Sequence, residues 1–152
     1  MKILARIMYR VAVLNRVTGW RLSRVNRWIY RFTGGLLGDV TPGANVVLMT
    51  TLGWRSGRPH TVPVAAWWDG DGLVVGSFAG GSERDPQWLK NLRIRPKAEV
   101  QRKRERFSVR AELIPQHAWD ETVERIAKTQ PLIDFYARRT ERKAPMVRLV
   151  RV

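Results

Sequence analysis

Residues 45–64 read NVVLMTTLGWRSGRPHTVPV, two extended runs joined by a basic turn bounded by glycines. In the first run Val46, Leu48 and Thr50 fall on one face and Val47, Met49 and Thr51 on the other, and the β-branched content favours an extended chain. Gly53 and Gly57 permit backbone angles that a bulkier residue resists. Around them stand Arg55, Ser56, Arg58 and His60, all able to donate hydrogen bonds to an anion. Such a tip reads either as a seat for phosphate or carboxylate or as a solvated hairpin end.

Working outward, the second run continues from Val64 through Ala65, Ala66 and Trp67 to Trp68, where Asp69-Gly70-Asp71-Gly72 gives a strong turn signal. Leu73 to Phe78 then form a third strand. Three short strands with tight turns point to an antiparallel meander. Ala79-Gly80-Gly81-Ser82 leaves it as a loop, and Asp85-Pro86 opens a short helix, the aspartate as cap and the proline at the first helical position. That helix carries Trp88, Leu89, Asn91 and Leu92 and stops at Arg95-Pro96. Two strands, Ala98–Arg102 and Arg106–Leu113, flank the charged tip Lys103-Arg104-Glu105, with Phe107, Val109 and Ala111 alternating with polar residues. Helices over about Gln116–Lys128 and Pro131–Arg139 and a final strand over Met146–Val152 complete the chain. Six short strands without crossover helices between the first three predict an α+β fold, a small barrel or curled sheet with helices outside.

In the other direction, Gly34, Gly35, Gly38, Pro42 and Gly43 connect residues 1–33 to this core. That N-terminal segment holds arginines at 6, 10, 16, 21, 24, 27 and 31 before the first acidic residue, Asp39. Apolar residues recur at helical spacing, Leu4, Ile7, Met8, Val11 and Leu14, then Leu22, Val25, Trp28, Ile29 and Phe32, with Gly19 between. The basic interruptions exclude a transmembrane span and make a poor secretory signal. A basic amphipathic segment of this kind lies on an anionic membrane surface or packs on the domain; residues 1–18 suit either, and residues 20–33, with the tighter stripe, suit packing.

The 152 residues suffice for one domain, here 1–152 with a barrel core over 45–152. No cysteine is present, which excludes disulfides and thiolate chemistry, and two distant histidines, His60 and His117, make a metal centre a poor expectation. The net charge of +15 calls for an acidic partner. Nucleic acid ranks last among these, because the aromatic residues form no recognisable stacking platform. Nor does acid–base machinery stand out: no carboxylate pair has suitable surroundings, and Ser56 in its GxxSG turn has the wrong strand context for a nucleophile elbow. An enzyme with this inventory relies on a hydride-carrying cofactor, for which protein supplies binding, orientation and exclusion of water.

The runs LMTTLGWRSGRPHTVPV, VVGSFAGGSERDPQWLKNLRIRPKAEVQ and PLIDFYARRTERKAPMVRL, with SRVNRWIYR ahead of them, are similar in order and spacing to the deazaflavin-dependent nitroreductase family of actinobacteria. These are split β-barrel oxidoreductases that use coenzyme F420. The resemblance implies a split barrel of six mostly antiparallel strands with flanking helices. It implies that Trp54, Arg55, Ser56, Gly57, Arg58 and His60 receive the acidic tail of F420, that Pro63 and Val64 line the deazaflavin ring, and that Ser77, Phe78, Ala79, Gly80 and Gly81 approach it by backbone. Trp88 and Asn91 would close the cofactor side, and Tyr136 would stand on the substrate side. This chain differs from many relatives in having Trp54 before Arg55, Phe78-Ala79 where Ser-Lys precedes the paired glycines, and His60 where some have arginine. On their own, Trp88 and Tyr136 read as packing residues and His60 and His117 as polar surface.

The reaction implied is hydride transfer from reduced F420 to an apolar, electron-poor acceptor such as a quinone, enone or nitroaromatic. A competing reading is a non-catalytic lipid or fatty-acid carrier at the membrane surface, motivated by Trp54, Phe78 and the basic N-terminal helix. Either places the chain in the cytoplasm, free there or peripheral at the inner face of the plasma membrane through residues 1–18.

Overall fold

A computed structural model describes residues 45–78, 84–139 and 141–152; residues 1–44, on which the amphipathic-helix reading falls, lie outside the described residues. Strands β1 (Asn45–Leu52), β2 (Pro59–Asp69) and β3 (Gly72–Gly76) are followed by helix α1 (Gln87–Ile94), then β4 (Lys97–Arg102) and β5 (Glu105–Leu113). A 3₁₀ turn (Gln116–Ala118), α2 (Trp119–Ala127), α3 (Leu132–Ala137) and β6 (Met146–Arg151) complete the order. The strands close a barrel in the order β1-β2-β3-β6-β5-β4, every neighbouring pair antiparallel.

Alternation along the strands builds two cores. Val47, Met49, Val64, Leu73, Val75 and Leu149 point into the barrel, where α1 adds Trp88, Leu89 and Leu92. Trp67, Val74 and Met146 point outward and are covered by Trp119, Val123 and Ile126 of α2 and Ile133 and Ala137 of α3. A second clamp is polar. Asp69, its side chain 8% exposed, takes two hydrogen bonds of 2.9 Å from Arg125 of α2 and pairs with Arg148 of β6. Next to it the Gln130 amide accepts from Trp68 N–H at 3.0 Å and donates to Trp68 C=O at 2.7 Å. The β2–β3 turn, the α2 end and the closing strand are thereby tied at one place.

Antiparallel register sorts the loops to two barrel ends. Asn45, Asp69, Gly72, Arg102, Glu105 and Arg151 lie at one end, and the other carries Leu52, Pro59, Gly76, Lys97, Leu113 and Met146. The basic turn between β1 and β2 and the residues following β3 therefore share the second end.

Several boundaries differ from the sequence expectation. The third strand stops at Gly76, not Phe78, because the Phe78 ring folds back over Gly76: a Cβ there would lie 2.1 Å from it. Pro86, at φ −66° and ψ 158°, is the residue that caps α1; Asp85 makes no cap hydrogen bond and instead pairs with Arg93 and Arg142. The helix expected over 116–128 begins with the 3₁₀ turn and is α-helical from Trp119.

Candidate functional site

Between β1 and β2 the chain reverses over Gly53–Arg58. Gly53 N–H donates to Arg58 C=O and Gly57 N–H to Gly53 C=O, each at 2.8 Å. Gly57 sits at φ +67°, the left-handed region that glycine enters without penalty. A Cβ at Gly53 would lie 2.4 Å from Ser56 Oγ and 3.1 Å from His60 Nε2, so a side chain there would displace the Ser56 hydroxyl. Ser56 Oγ in turn accepts from Arg58 N–H at 3.2 Å.

Helix α1 holds this turn from beneath. Asn91 is fully buried (0% exposed). Its Oδ1 accepts from Trp54 N–H at 3.0 Å and from Gln87 Nε2 at 3.1 Å, and its Nδ2 donates to Thr51 Oγ1 at 2.9 Å. Arg95 adds a hydrogen bond of 2.8 Å from Nη1 to Gly53 C=O. Arg95 is placed for this because Pro96 bars helix at the preceding residue, which turns out at φ −128°, ψ 95°. The helix itself is anchored by Trp88, Leu89 and Leu92 inside the barrel.

With the backbone so fixed, the turn presents its cations to solvent. Arg55 lies over the Trp54 ring at 4.2 Å, a cation–π contact that orients the guanidinium without neutralising it. Arg55, Arg58 and His60 are exposed, and among the described residues no carboxylate pairs with either arginine. Donors with this geometry suit a ligand carrying several negative charges. Among the described residues no group of three or more His, Asp or Glu side chains is arranged to hold a metal ion.

Beyond β3, Ser77 is buried, its N–H donating to Pro145 C=O at 3.0 Å. Phe78 packs on Trp67 with ring centroids 5.6 Å apart, Tyr136 meets the same indole at 6.0 Å, and Phe135 meets Tyr136 edge-on at 5.5 Å. Half-burial raises the Tyr136 phenol above its ordinary pKa against a smaller opposing pull from Arg139, so the hydroxyl keeps its proton at neutral pH. The segment before β6 is pinned nearby: Trp119 Nε1 donates to Ala144 C=O at 2.8 Å, Lys143 pairs with Asp120 and Arg142 with Asp85. Burial alone would raise the Asp85 carboxyl, but hydrogen bonds from Arg93 and Arg142 outweigh it and hold it below the usual range.

Of the residues singled out in the sequence, Trp54, Arg55, Ser56, Gly57, Arg58 and His60 come together in or beside one turn. Pro63 is exposed on β2, while Val64 points into the barrel. Trp88 belongs to the barrel core and Asn91 spends its hydrogen bonds on the turn. Phe78 and Tyr136 join the outer aromatic cluster. Ala79, Gly80 and Gly81 lie outside the described residues. Sequence reasoning missed Thr51, Gln87 and Arg95 as supports of the turn. Only Arg95 left a signal, as a long donor ahead of a helix-ending proline.

Comparisons with known proteins bear on this arrangement. A family described as F420H(2)-dependent quinone reductase matches residues 22–151. An F420H(2)-dependent quinone reductase of Mycobacterium tuberculosis (strain ATCC 25618 / H37Rv) is 32% identical over 145 residues, covering 91% of this chain and 95% of the relative. Among solved structures, an F420-H2 dependent reductase superposes with TM-score 0.57 at 22% identity, covering 69% of this chain and 93% of that one. HutZ, the heme storage protein from Vibrio cholerae, superposes with TM-score 0.52 at 13% identity, covering 72% of this chain and 82% of that one; both likenesses concern the split-barrel fold alone. The family match across barrel, turn and late helices makes this chain a member of the F420H(2)-dependent quinone reductase family, an oxidoreductase with coenzyme F420 as its cofactor.

Proposed function

We propose that the protein passes hydride from reduced F420 to an apolar, electron-poor acceptor, a quinone in the first instance, with enones and nitroaromatics as chemical kin. The observation that carries this reading is the pairing of an unneutralised cationic turn with an aromatic cluster at the end of β3. Arg55, Ser56, Arg58 and His60 suit the acidic tail of the cofactor, and the half-buried Tyr136 with the 40% exposed Phe135 suits a flat apolar acceptor. Bound F420 supplies the hydride. The chain's own groups do the rest: the turn binds and orients, Phe78 and Trp67 exclude water, and Tyr136 Oη holds a proton that it can share with an acceptor oxygen. Acceptor-dependent oxidation of reduced F420 under anaerobic conditions, with menadione as probe, tests the reading. The expected result is saturable turnover. Saturable cofactor binding without turnover on any quinone, together with lipid co-purifying in native mass spectrometry, would favour the lipid-carrier reading instead.

We further propose a peripheral membrane partner. Leu52 and Leu113 are 45% and 50% exposed at the barrel end that carries the turn, and Ile94, at the end of α1, is 62% exposed. Together with the basic residues 1–18, an apolar rim beside the site favours an acceptor dissolved in an anionic membrane. No helix among the described residues is long and apolar enough to cross one. The full chain should sediment with anionic vesicles and a chain lacking residues 1–18 should not; equal sedimentation of the two would refute the assignment of the anchor.

A further inference from the structure

Charge is sorted between two sides of the barrel. Ala98, Val100 and Val109 belong to the barrel core and Phe107 and Ala111 pack against it, so alternation turns Lys97 and Glu99 of β4 and Arg106, Ser108 and Arg110 of β5 outward, where all five are exposed. Register sets Lys97 directly across from Arg110 and Glu99 across from Ser108. Lys103 and Arg104, both exposed, carry the face through the β4–β5 turn. Arg110 has Glu112 at 2.8 Å, but no carboxylate among the described residues pairs with Lys97, Arg104 or Arg106. Like charges directly opposite one another repel, so the Lys97–Arg110 pair does not serve the fold. The other side is the reverse. Helices α2 and α3 cover Trp67, Val74 and Met146 there and carry Asp120, Glu121, Glu124 and Asp134, with the Glu121 and Glu124 side chains 81% and 70% exposed. The nearby cations Arg125, Arg138 and Lys143 are paired with Asp69, Asp134 and Asp120.

We propose that the outward face of β4 and β5 is the side on which the barrel lies against an anionic membrane, with α2 and α3 turned away from it. This rests on the membrane partner inferred above and adds to it the surface and the orientation. Two observations favour a bilayer over other polyanions. The face runs into apolar side chains: Leu113, 50% exposed, ends β5, Leu52, 45% exposed, stands at the same barrel end, and Ile94, 62% exposed, comes shortly before Lys97. Cations suited to headgroups thus adjoin side chains suited to the acyl boundary. The cations are also spread out, Arg106 and Arg110 standing about 13 Å apart along β5, a spacing that meets several headgroups and no single phosphate. In this pose the barrel end carrying the Gly53–Arg58 turn opens along the membrane surface, where an apolar acceptor can pass from the leaflet to the site. The face adds to residues 1–18 and does not replace them, since each surface cation contributes only modestly.

The chain has no cysteine, so a single introduced thiol carries a polarity-sensitive dye to one chosen place. With vesicles of phosphatidylglycerol and phosphatidylcholine, dye on Ser108→Cys of the full chain should shift to the blue, and dye on Glu121→Cys should not. Arg106→Glu and Lys97→Glu should each weaken vesicle binding roughly tenfold, from reversal of one surface cation. Lys128→Glu, an equal change in net charge just past α2, should leave binding within about twofold of wild type. Lys97→Glu should melt no lower than wild type, because it sets opposite charges across from each other at Arg110, so weaker binding by this variant is not unfolding. A dye unmoved at Ser108, a shift at Glu121, or equal weakening by Arg106→Glu and Lys128→Glu overturns the proposal. Retention of wild type on heparin that Arg106→Glu abolishes, with vesicle binding unchanged, would assign the face to a soluble polyanion and overturns it too. A wild-type chain that stays off anionic vesicles overturns both the membrane partner and this orientation, whereas wild-type binding with the Ser108 dye unmoved overturns the orientation alone.

Discussion

Replacing Asn91 by alanine should loosen the basic turn from beneath without touching any of its cations. Three hydrogen bonds are lost: Trp54 N–H to Oδ1, Gln87 Nε2 to Oδ1, and Nδ2 to Thr51 Oγ1. Trp54 N–H and the Gln87 amide lie near enough to the surface for water to replace the partner, so each counts about 0.5 kcal/mol, the low end for a net hydrogen bond. Thr51 is 1% exposed, and stranding its hydroxyl costs about 2 kcal/mol. The sum, about 3 kcal/mol, corresponds to a melting-temperature fall of about 6–12 °C for a chain of this size. Differential scanning calorimetry of Asn91→Ala measures it, with Arg93→Ala as the control. Arg93 lies on the same helix, but its 2.6 Å ion pair with Asp85 is solvent-exposed on the arginine side and should count for less than about 1 kcal/mol. Because Trp54 N–H would no longer be held, affinity for F420 should fall by roughly tenfold as well. A melting temperature within 2 °C of wild type, taking about 0.5 kcal/mol as the resolution of the comparison, would refute the view that α1 positions the turn.

Further outcomes follow from the same contacts. Gly53→Ala should push Ser56 Oγ off Arg58 N–H and weaken cofactor binding, whereas Gly57→Ala, with nothing within 4 Å but a φ of +67°, should cost about 1 kcal/mol of stability; equal effects on binding in the two would contradict this division. Hydrogen bonding from Arg125, against the opposing effect of burial and aided by Arg148, holds the Asp69 carboxyl below its ordinary pKa. A carboxyl with a depressed folded-state pKa stabilises above the unfolded value and loses that stabilisation as pH falls through the folded one. Asp69→Asn should therefore cost about 2 kcal/mol at pH 7, a figure reduced for the exposure of Arg125, and progressively less below about pH 4, as urea titrations across pH would show. Lys103 occupies φ 53° in the two-residue β4–β5 turn, so Lys103→Gly should stabilise by about 0.5–1 kcal/mol; destabilisation would mean that its side chain matters more than its backbone.

Local signals in the sequence were sufficient for the meander. Asp69-Gly70-Asp71-Gly72 did form a two-residue turn with Gly70 at φ +65°, and alternation named Val47, Met49, Val147 and Leu149 on the faces they occupy. Closure was not legible residue by residue, because the pairings of β1 with β4 and of β5 with β6 join segments about fifty and forty residues apart that carry no mark of one another. The Asp85-Pro86 pair illustrates a local rule overridden: Arg93 of the same helix and Arg142 from the segment before β6 took the carboxylate, and the cap position is held by the proline. Of the site, the glycines and cations of the turn could be read from spacing alone, since turn chemistry is local. Asn91 could be named only through the family likeness, and its part in holding Trp54 and Thr51 depends on how α1 docks into the barrel. Ser77, like Asn91, was named only through the family likeness, and that its hydroxyl is buried without a partner is a property of its surroundings.

Whether the Gly53–Arg58 turn holds the acidic tail is best measured by comparing the affinities of F420 and its tail-less deazaflavin nucleoside for wild type and for the Arg55→Ala, Arg58→Ala double variant. Wild type should prefer the tail-bearing cofactor by one to two orders of magnitude, taking about 1.5–3 kcal/mol per charge-assisted contact with a discount for exposure, and the preference should shrink with salt and collapse in the double variant. Equal affinity of the wild-type chain for both ligands, or a preference that survives loss of both arginines, would contradict the assignment of this turn as the tail site.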